Sequence, residues 1–278
     1  VADALDVNSN PAPAPPLRRL GRNVDGYHGE TIDISAILKD CRLAAQAGGW
    51  AEECFFKEAE PLLAFVRSAR ANSNIRRLYI STGIHGDEPA GPLAVRRLLR
   101  EDAWPDNLEL YLCPCLNPDG FKLNQRENVQ GLDLNRQYRD PQVPSILAHT
   151  QWLRRQPRFD LCLCLHEDWE SHGFYLYELN PENRPSLAEA IVAQVATVCP
   201  IDPSELIEGR AARGGIIRPS LDPATRPQWA EAFFLILHQT RLSYTLEAPS
   251  DFALSLRVDA LSAGVTTACR QLAAASKA

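Results

Sequence analysis

His85-Gly86-Asp87-Glu88 sets an imidazole three residues ahead of a carboxylate, and a second imidazole, His166, follows at the end of an apolar run. Glu247 ends another apolar run, and Asp133-Leu134-Asn135-Arg136 lies between the two. Two histidines and a glutamate can hold one zinc ion and leave a coordination position open for water. That is the arrangement of a hydrolytic site, since structural zinc is normally closed by four protein ligands. His-x-x-Glu alone is a weak signal, because a surface histidine beside an acid arises by chance. Its position at an apparent strand end, flanked by Gly83 and Gly86, adds weight, since glycine lets the backbone turn sharply. His166 taken alone also reads as a strand-capping imidazole bonded to a neighbour.

A rival metal set, Cys162, Cys164 and His166, fails on geometry. Alternate residues share one face of a strand at roughly 6.5–7 Å spacing. Bonds of about 2.0–2.3 Å cannot converge from there on one zinc ion. Those cysteines are expected in the core, as are Cys113 and Cys115. The plain reading of Asp133-Leu134-Asn135-Arg136 is a charged loop. Together with Arg126, and following Asn117-Pro118-Asp119-Gly120, it also suits a surface that grips a carboxylate, which arginine does with two parallel hydrogen bonds.

These groups need elements to position them. Leu78–Thr82, Leu108–Cys113, Leu161–Leu165 and Leu242–Leu246 are short and mostly apolar, as strands buried on both faces are. Helical patterns fall near 90–101, 144–155, 184–198, 228–239 and 254–274. Pro89 is expected to open the first helix and to hold Glu88 outside it, at the loop–helix junction. Strands alternating with helices predict an α/β fold with a mixed, largely parallel central sheet flanked by helices. In such sheets sites form beyond the carboxyl ends of the strands. His85, His166 and Glu247 each fall there.

The chain of 278 residues, 45% hydrophobic and 23% charged, is long enough for one large domain with a core of its own. Residues 1–20 are expected to be a Pro-rich tail and 21–278 a single domain. The net charge of −6 is spread along the chain, which argues against a nucleic-acid partner or an anionic membrane surface. No apolar run is long enough to span a bilayer and no secretory leader is visible, although the sequence starts at Val1 and a removed leader stays open. The eight cysteines sit mostly in apolar segments. Free buried thiols in a reducing compartment, hence a cytoplasmic location, are the expectation. The sequence leaves the oligomeric state open.

His85-x-x-Glu88, Asn117-Pro118-Asp119-Gly120, Arg126, Asp133-x-Asn135-Arg136, His166 and Glu247 occur in the order seen in zinc metallocarboxypeptidases of the carboxypeptidase A type. The chain resembles their small bacterial branch, which includes the murein peptide amidases, over about 78–250. The resemblance implies one zinc ion held by His85, Glu88 and His166. It implies Arg126 as the group that polarises the scissile carbonyl, Asn135 and Arg136 as the grip on the substrate's terminal carboxylate, and Asp133 as the partner that orients His85. Glu247 would be general base and then general acid. The substrate implied is a peptide, or a cell-wall peptide, cleaved next to a free carboxylate.

Gln137 stands where the family often has Asn. The region 222–227 lacks the mobile tyrosine that the larger digestive enzymes carry about 22 residues before the catalytic glutamate. Tyr175 and Tyr177 could replace it, with core packing or a strand face an equal reading. Arg213 and Arg218 read as a solvated loop, and His28, His149, His172 and His238 as structural or surface residues. An N-acyl amino acid deacylase, resembling succinylglutamate desuccinylase and aspartoacylase, is the alternative, because it shares His-Gly-x-Glu, Asp-x-Asn-Arg and a late glutamate. A non-catalytic binding module is the third reading.

Overall fold

The structure is a computed structural model that describes residues 18–23, 30–58, 60–220, 222 and 226–275. Most of the expected 1–20 tail, and His28, lie outside the described residues. A ten-stranded sheet runs in the order β1-β2-β4-β3-β5-β10-β6-β9-β8-β7. The strands are β1 (Ala51–Phe56), β2 (Leu62–Arg67), β3 (Arg76–Thr82), β4 (Leu108–Cys113), β5 (Leu161–Asp168), β6 (Tyr175–Leu179), β7 (Leu206–Ile207), β8 (Arg210–Arg213), β9 (Ile216–Ile217) and β10 (Ser243–Pro249). The central four, β4-β3-β5-β10, are parallel, while β1, β2 and β6 join antiparallel at their flanks. The sheet is mixed with a parallel centre, as the sequence predicts.

Alternation along the strands divides the core. Leu78, Ile80, Leu161, Leu163, Leu165 and Leu246 face one way. On that side lie α1 (Ile34–Ala47), α2 (Ala90–Glu101), α5 (Ala188–Val195) and α7 (Leu254–Ala274), packed on one another. Tyr79, Cys113, Cys162 and Cys164 face the other way. There they meet α4 (Pro144–Arg155) and α6 (Glu231–His238). The four expected strands and the helices at 90–101, 144–155 and 254–274 stand where patterning puts them. The fourth strand is shifted to Ser243–Pro249. The expected helices at 184–198 and 228–239 shorten to α5 and α6. The Asn180 side chain bonds both the N–H and the carbonyl of Arg184, which turns the chain before α5. Trp229 bridges to Gln137, which keeps the chain extended before α6.

The sequence reading did not foresee α1, α3 (Pro118–Leu123), β1, β2 or the short strands β6–β9. At the end of the expected tail, Leu20 N donates to Asp251 O at 2.6 Å and Arg19 Nε to Asp251 Oδ2 at 3.0 Å. The chain is therefore docked from Arg19. All eight cysteines are free, and only Cys54 is exposed. No helix among the described residues is long and apolar enough to cross a membrane.

Candidate metal centre

β3 pairs with β4 on one side and β5 on the other, so the chain leaves β3 where the order of connections reverses. A crevice opens at the carboxyl ends of the strands at such a point. Its mouth is a cleft of about 580 Å³ lined by His85, Glu88, Arg126, Asp133, Asn135, Arg136, His166 and Glu247. Every site residue read from the sequence therefore lines one cavity.

Backbone packing fixes the His85 loop. A Cβ on Gly86 would sit 2.0 Å from the carbonyl carbon of Gly120, so only glycine allows this approach. Asn117 caps α3 through Gly120 N at 3.1 Å. Its amide nitrogen donates to Ile84 O at 3.1 Å and to Arg126 O at 3.4 Å. Asn117-Pro118-Asp119-Gly120 is thus a bracket that holds the His85 loop against the Arg126 loop. Pro89 caps α2 and Glu88 lies just outside it, at the expected junction. β5 supplies His166 and β10 supplies Glu247, paired directly across the parallel ladder.

His85, Glu88 and His166 are buried, and one ligand atom from each lies within 4.8 Å of the others. No other described group of His, Cys, Asp and Glu meets that test. His85 Nδ1 is 2.5 Å from Glu88 Oε1 and His166 Nδ1 is 3.0 Å from Glu88 Oε2. Both imidazoles thus present the same ring nitrogen to one carboxylate. Each contact is an N–H donated to the carboxylate or, with the imidazole deprotonated, a pair of lone-pair donors that can share a cation. Two imidazoles and a carboxylate are a donor set that suits zinc. Burial works to raise the Glu88 carboxyl, but the charges of His85 and His166 and their hydrogen bonds hold it well below the usual range.

Asp133 Oδ1 lies 3.4 Å from His85 Nε2, the side of the ring away from Glu88. Arg126 Nε donates to Asp133 Oδ2 at 3.0 Å, and its Nη1 lies 3.2 Å from His85 Nδ1. Asp133 therefore braces both the imidazole and the guanidinium. Burial would raise its carboxyl, but the His85 bond and the charges of His85 and Arg126 hold it well below the usual range. Asn135 Oδ1 accepts from Glu231 N at 2.8 Å, which leaves its amide N–H groups for the cleft. Arg136 donates to Asn135 O at 2.9 Å and makes no ion pair among the described residues. Glu247 makes no hydrogen bond or ion pair among the described residues. Burial, then the Glu88 charge, push its carboxyl well above the usual range.

The cleft also holds Tyr177, which the sequence left between two readings, and residues it did not single out. Tyr177 lines it, with its hydroxyl bonded to Glu208. Tyr175 is buried and donates to Asp168 instead. Arg210 and Arg226 line the far wall, and Arg226 lies 4.5 Å above the Phe233 ring. Arg218, by contrast, pairs with Glu178 and Glu189 away from the site. The order of β6–β9, which brings 175–177 beside 208–217, carries no periodic signal long enough to detect. His149 is a buried core residue between Tyr79 and Tyr138.

A family model, the succinylglutamate desuccinylase/aspartoacylase catalytic domain, matches residues 74–205. Carboxypeptidase SOL1 of Arabidopsis thaliana is 33% identical over 104 residues, which cover 30% of this chain and 21% of that protein. The match thus spans about a fifth of that relative. A protein from Shewanella amazonensis, solved as a candidate metallopeptidase, superposes with a TM-score of 0.74 at 23% identity, covering 86% of this chain and 93% of that one. Carboxypeptidase A from Helicoverpa armigera gives 0.62 at 13% identity, covering 90% and 75%. The fold is that of the zinc carboxypeptidases, and the resemblance read from the motifs holds.

Proposed function

We propose that the chain is a zinc-dependent hydrolase that cleaves an amide next to a free carboxylate, acting as a carboxypeptidase. One observation carries this reading. Three buried donors converge at a strand-end cleft, and a carboxylate with no partner of its own, Glu247, lies across one ladder rung from a donor. A structural metal site would have no use for such a group.

Zinc bound by His85, Glu88 and His166 would supply a Lewis acid that acidifies water and polarises a carbonyl. Glu247 takes the proton of the attacking water and passes it to the departing amine. Burial, the larger cause of its raised carboxyl pKa, suits the second half of that task. Arg126 neutralises the charge that develops on the carbonyl oxygen. Asn135 offers amide donors and Arg136 a guanidinium to the substrate carboxylate. Asp133 keeps His85 and Arg126 in register. The substrate is a peptide, with a cell-wall peptide as the specific case, and the free thiols suit a cytoplasmic location.

The family-model match favours a second reading, an N-acyl amino acid deacylase using the same residues. Product analysis by mass spectrometry separates the two. Zinc-loaded protein is incubated with peptides, a murein tripeptide and N-acyl amino acids, with Glu247→Gln as the blank. Release of a C-terminal residue establishes the carboxypeptidase. Cleavage of the acyl amino acids alone establishes the deacylase, and turnover of neither refutes both.

A further inference from the structure

Glu167 follows His166 in β5, and successive strand residues face opposite ways. While His166 meets Glu88, Glu167 turns toward α2 and α7 and is buried. Its Oε1 accepts from Ala90 N at 2.5 Å. Ala90 is the first residue of α2 and stands two positions after Glu88. Its Oε2 accepts from Ser250 Oγ at 3.2 Å, three positions after Glu247. The same oxygen pairs with Arg257 Nη1 from α7, and Arg257 Nη2 reaches Glu30 in the N-terminal segment. Arg257 is wholly buried. One carboxylate is thus covalently next to one donor and bonded beside a second donor and beside the general base.

Burying such an ion pair gains little stability over apolar side chains of the same volume, because both charges must leave water. Fixed geometry is what it does provide. The Ala90 N–H is directional and sits at the positive end of α2, so an anion there holds the first turn and, with it, Glu88. We infer that Glu167 is a positioning residue of the metal centre. It sets the relative placement of His166, Glu88 and Glu247, and Arg257 with Glu30 carries that constraint to α7 and the N-terminal segment. The inference rests on the metal-centre reading of the preceding subsection.

The test replaces the pair by apolar residues, Glu167→Leu with Arg257→Met, and measures three quantities. Melting of the metal-free protein reports the fold. Chelator competition reports zinc affinity, and the visible spectrum of the cobalt-substituted protein reports ligand geometry. The expected result is a metal-free melting point near that of the parent, with zinc bound about 10–100-fold more weakly and a shifted cobalt spectrum. Unchanged affinity and spectrum would overturn the inference and leave the pair a purely structural bond. Should the double variant not fold, Glu167→Gln keeps the shape and removes the charge, and its zinc affinity decides by the same criterion. Ser250→Ala cuts only the link toward Glu247. It should lower kcat with zinc affinity intact, and an unchanged kcat removes Glu247 from the inference. A parent protein that binds no zinc is a different result, which defeats the metal-centre reading itself.

Discussion

The ends of β5 and β10 lie side by side and each carries a carboxylate, Glu167 buried and Glu247 half-buried at the cleft, yet the two groups live in opposite circumstances. Glu167 has a backbone N–H, a hydroxyl and a guanidinium on it. Glu247, one strand away, has no bonded partner among the described residues. Glu231, under the cleft floor, is intermediate, with hydroxyls from Tyr79 and Ser81 but no cation among the described residues. A buried acid bonded through both oxygens is architecture. One left unengaged at a cleft costs stability, and the return is a site for proton transfer.

Four substitutions sharpen this contrast. Glu247→Gln should keep zinc and fold yet lose roughly 100–10,000-fold in turnover, the usual size of a general-base contribution. A variant with full activity by the mass-spectrometric assay removes Glu247 from the chemistry. Arg257→Met leaves Glu167 buried and uncompensated and should cost about 3–5 kcal/mol in denaturant unfolding of the metal-free protein. A loss under about 1 kcal/mol would mean that Glu167 is neutralised without it.

Glu231 supplies a pH signature. Burial pushes its carboxyl up to about 7, against hydrogen bonds from Tyr79, Ser81 and Cys164 that lower it. The folded chain therefore holds this proton more tightly than the unfolded one. Its contribution is fully present below about 4.5 and is lost as pH rises to about 7. Whatever Glu231→Gln costs at pH 5, the balance should move toward the variant by about 2.5 kcal/mol by pH 8. Parallel stability curves for the two proteins would show that Glu231 does not titrate there. The smallest effect belongs to Asp251, which holds Arg19, Gly21 and Arg22. Asp251→Ala should cost about 1–2 kcal/mol, read by denaturant unfolding, and leave zinc affinity unchanged.

The parallel centre of the fold and the placement of three candidate site residues were legible from sequence for one reason. Strands buried on both faces are continuous apolar runs, and His85, His166 and Glu247 stand at the ends of three of them. The periphery was mostly not legible, although α1 and β2, an amphipathic helix and an apolar run, carried a signal that the reading passed over. β1 carries Glu52 and Glu53, β7 and β9 have two residues each, and α3 has six, so none shows a period. Glu167 also escaped notice, because an acid beside a histidine says nothing of an arginine 90 positions away. Asn117 was read only as part of a motif, and its bonds to Ile84, Arg126 and Gly120 show what it does there.

The rung that pairs Glu247 with His166 has a consequence for how such a catalyst can change. Neighbouring strands are held about 4.8 Å apart by their ladder, and a slip of one residue would turn every side chain to the other face. The separation of Glu247 and His166 is therefore discrete and cannot be tuned by small adjustments. Trp169, Glu208 and Arg226, which also line the cleft, lie in connections outside the strand ladders and are free of that constraint. Diversification of this scaffold should alter what is cut through those connections, while the reaction stays locked to the weave of the sheet.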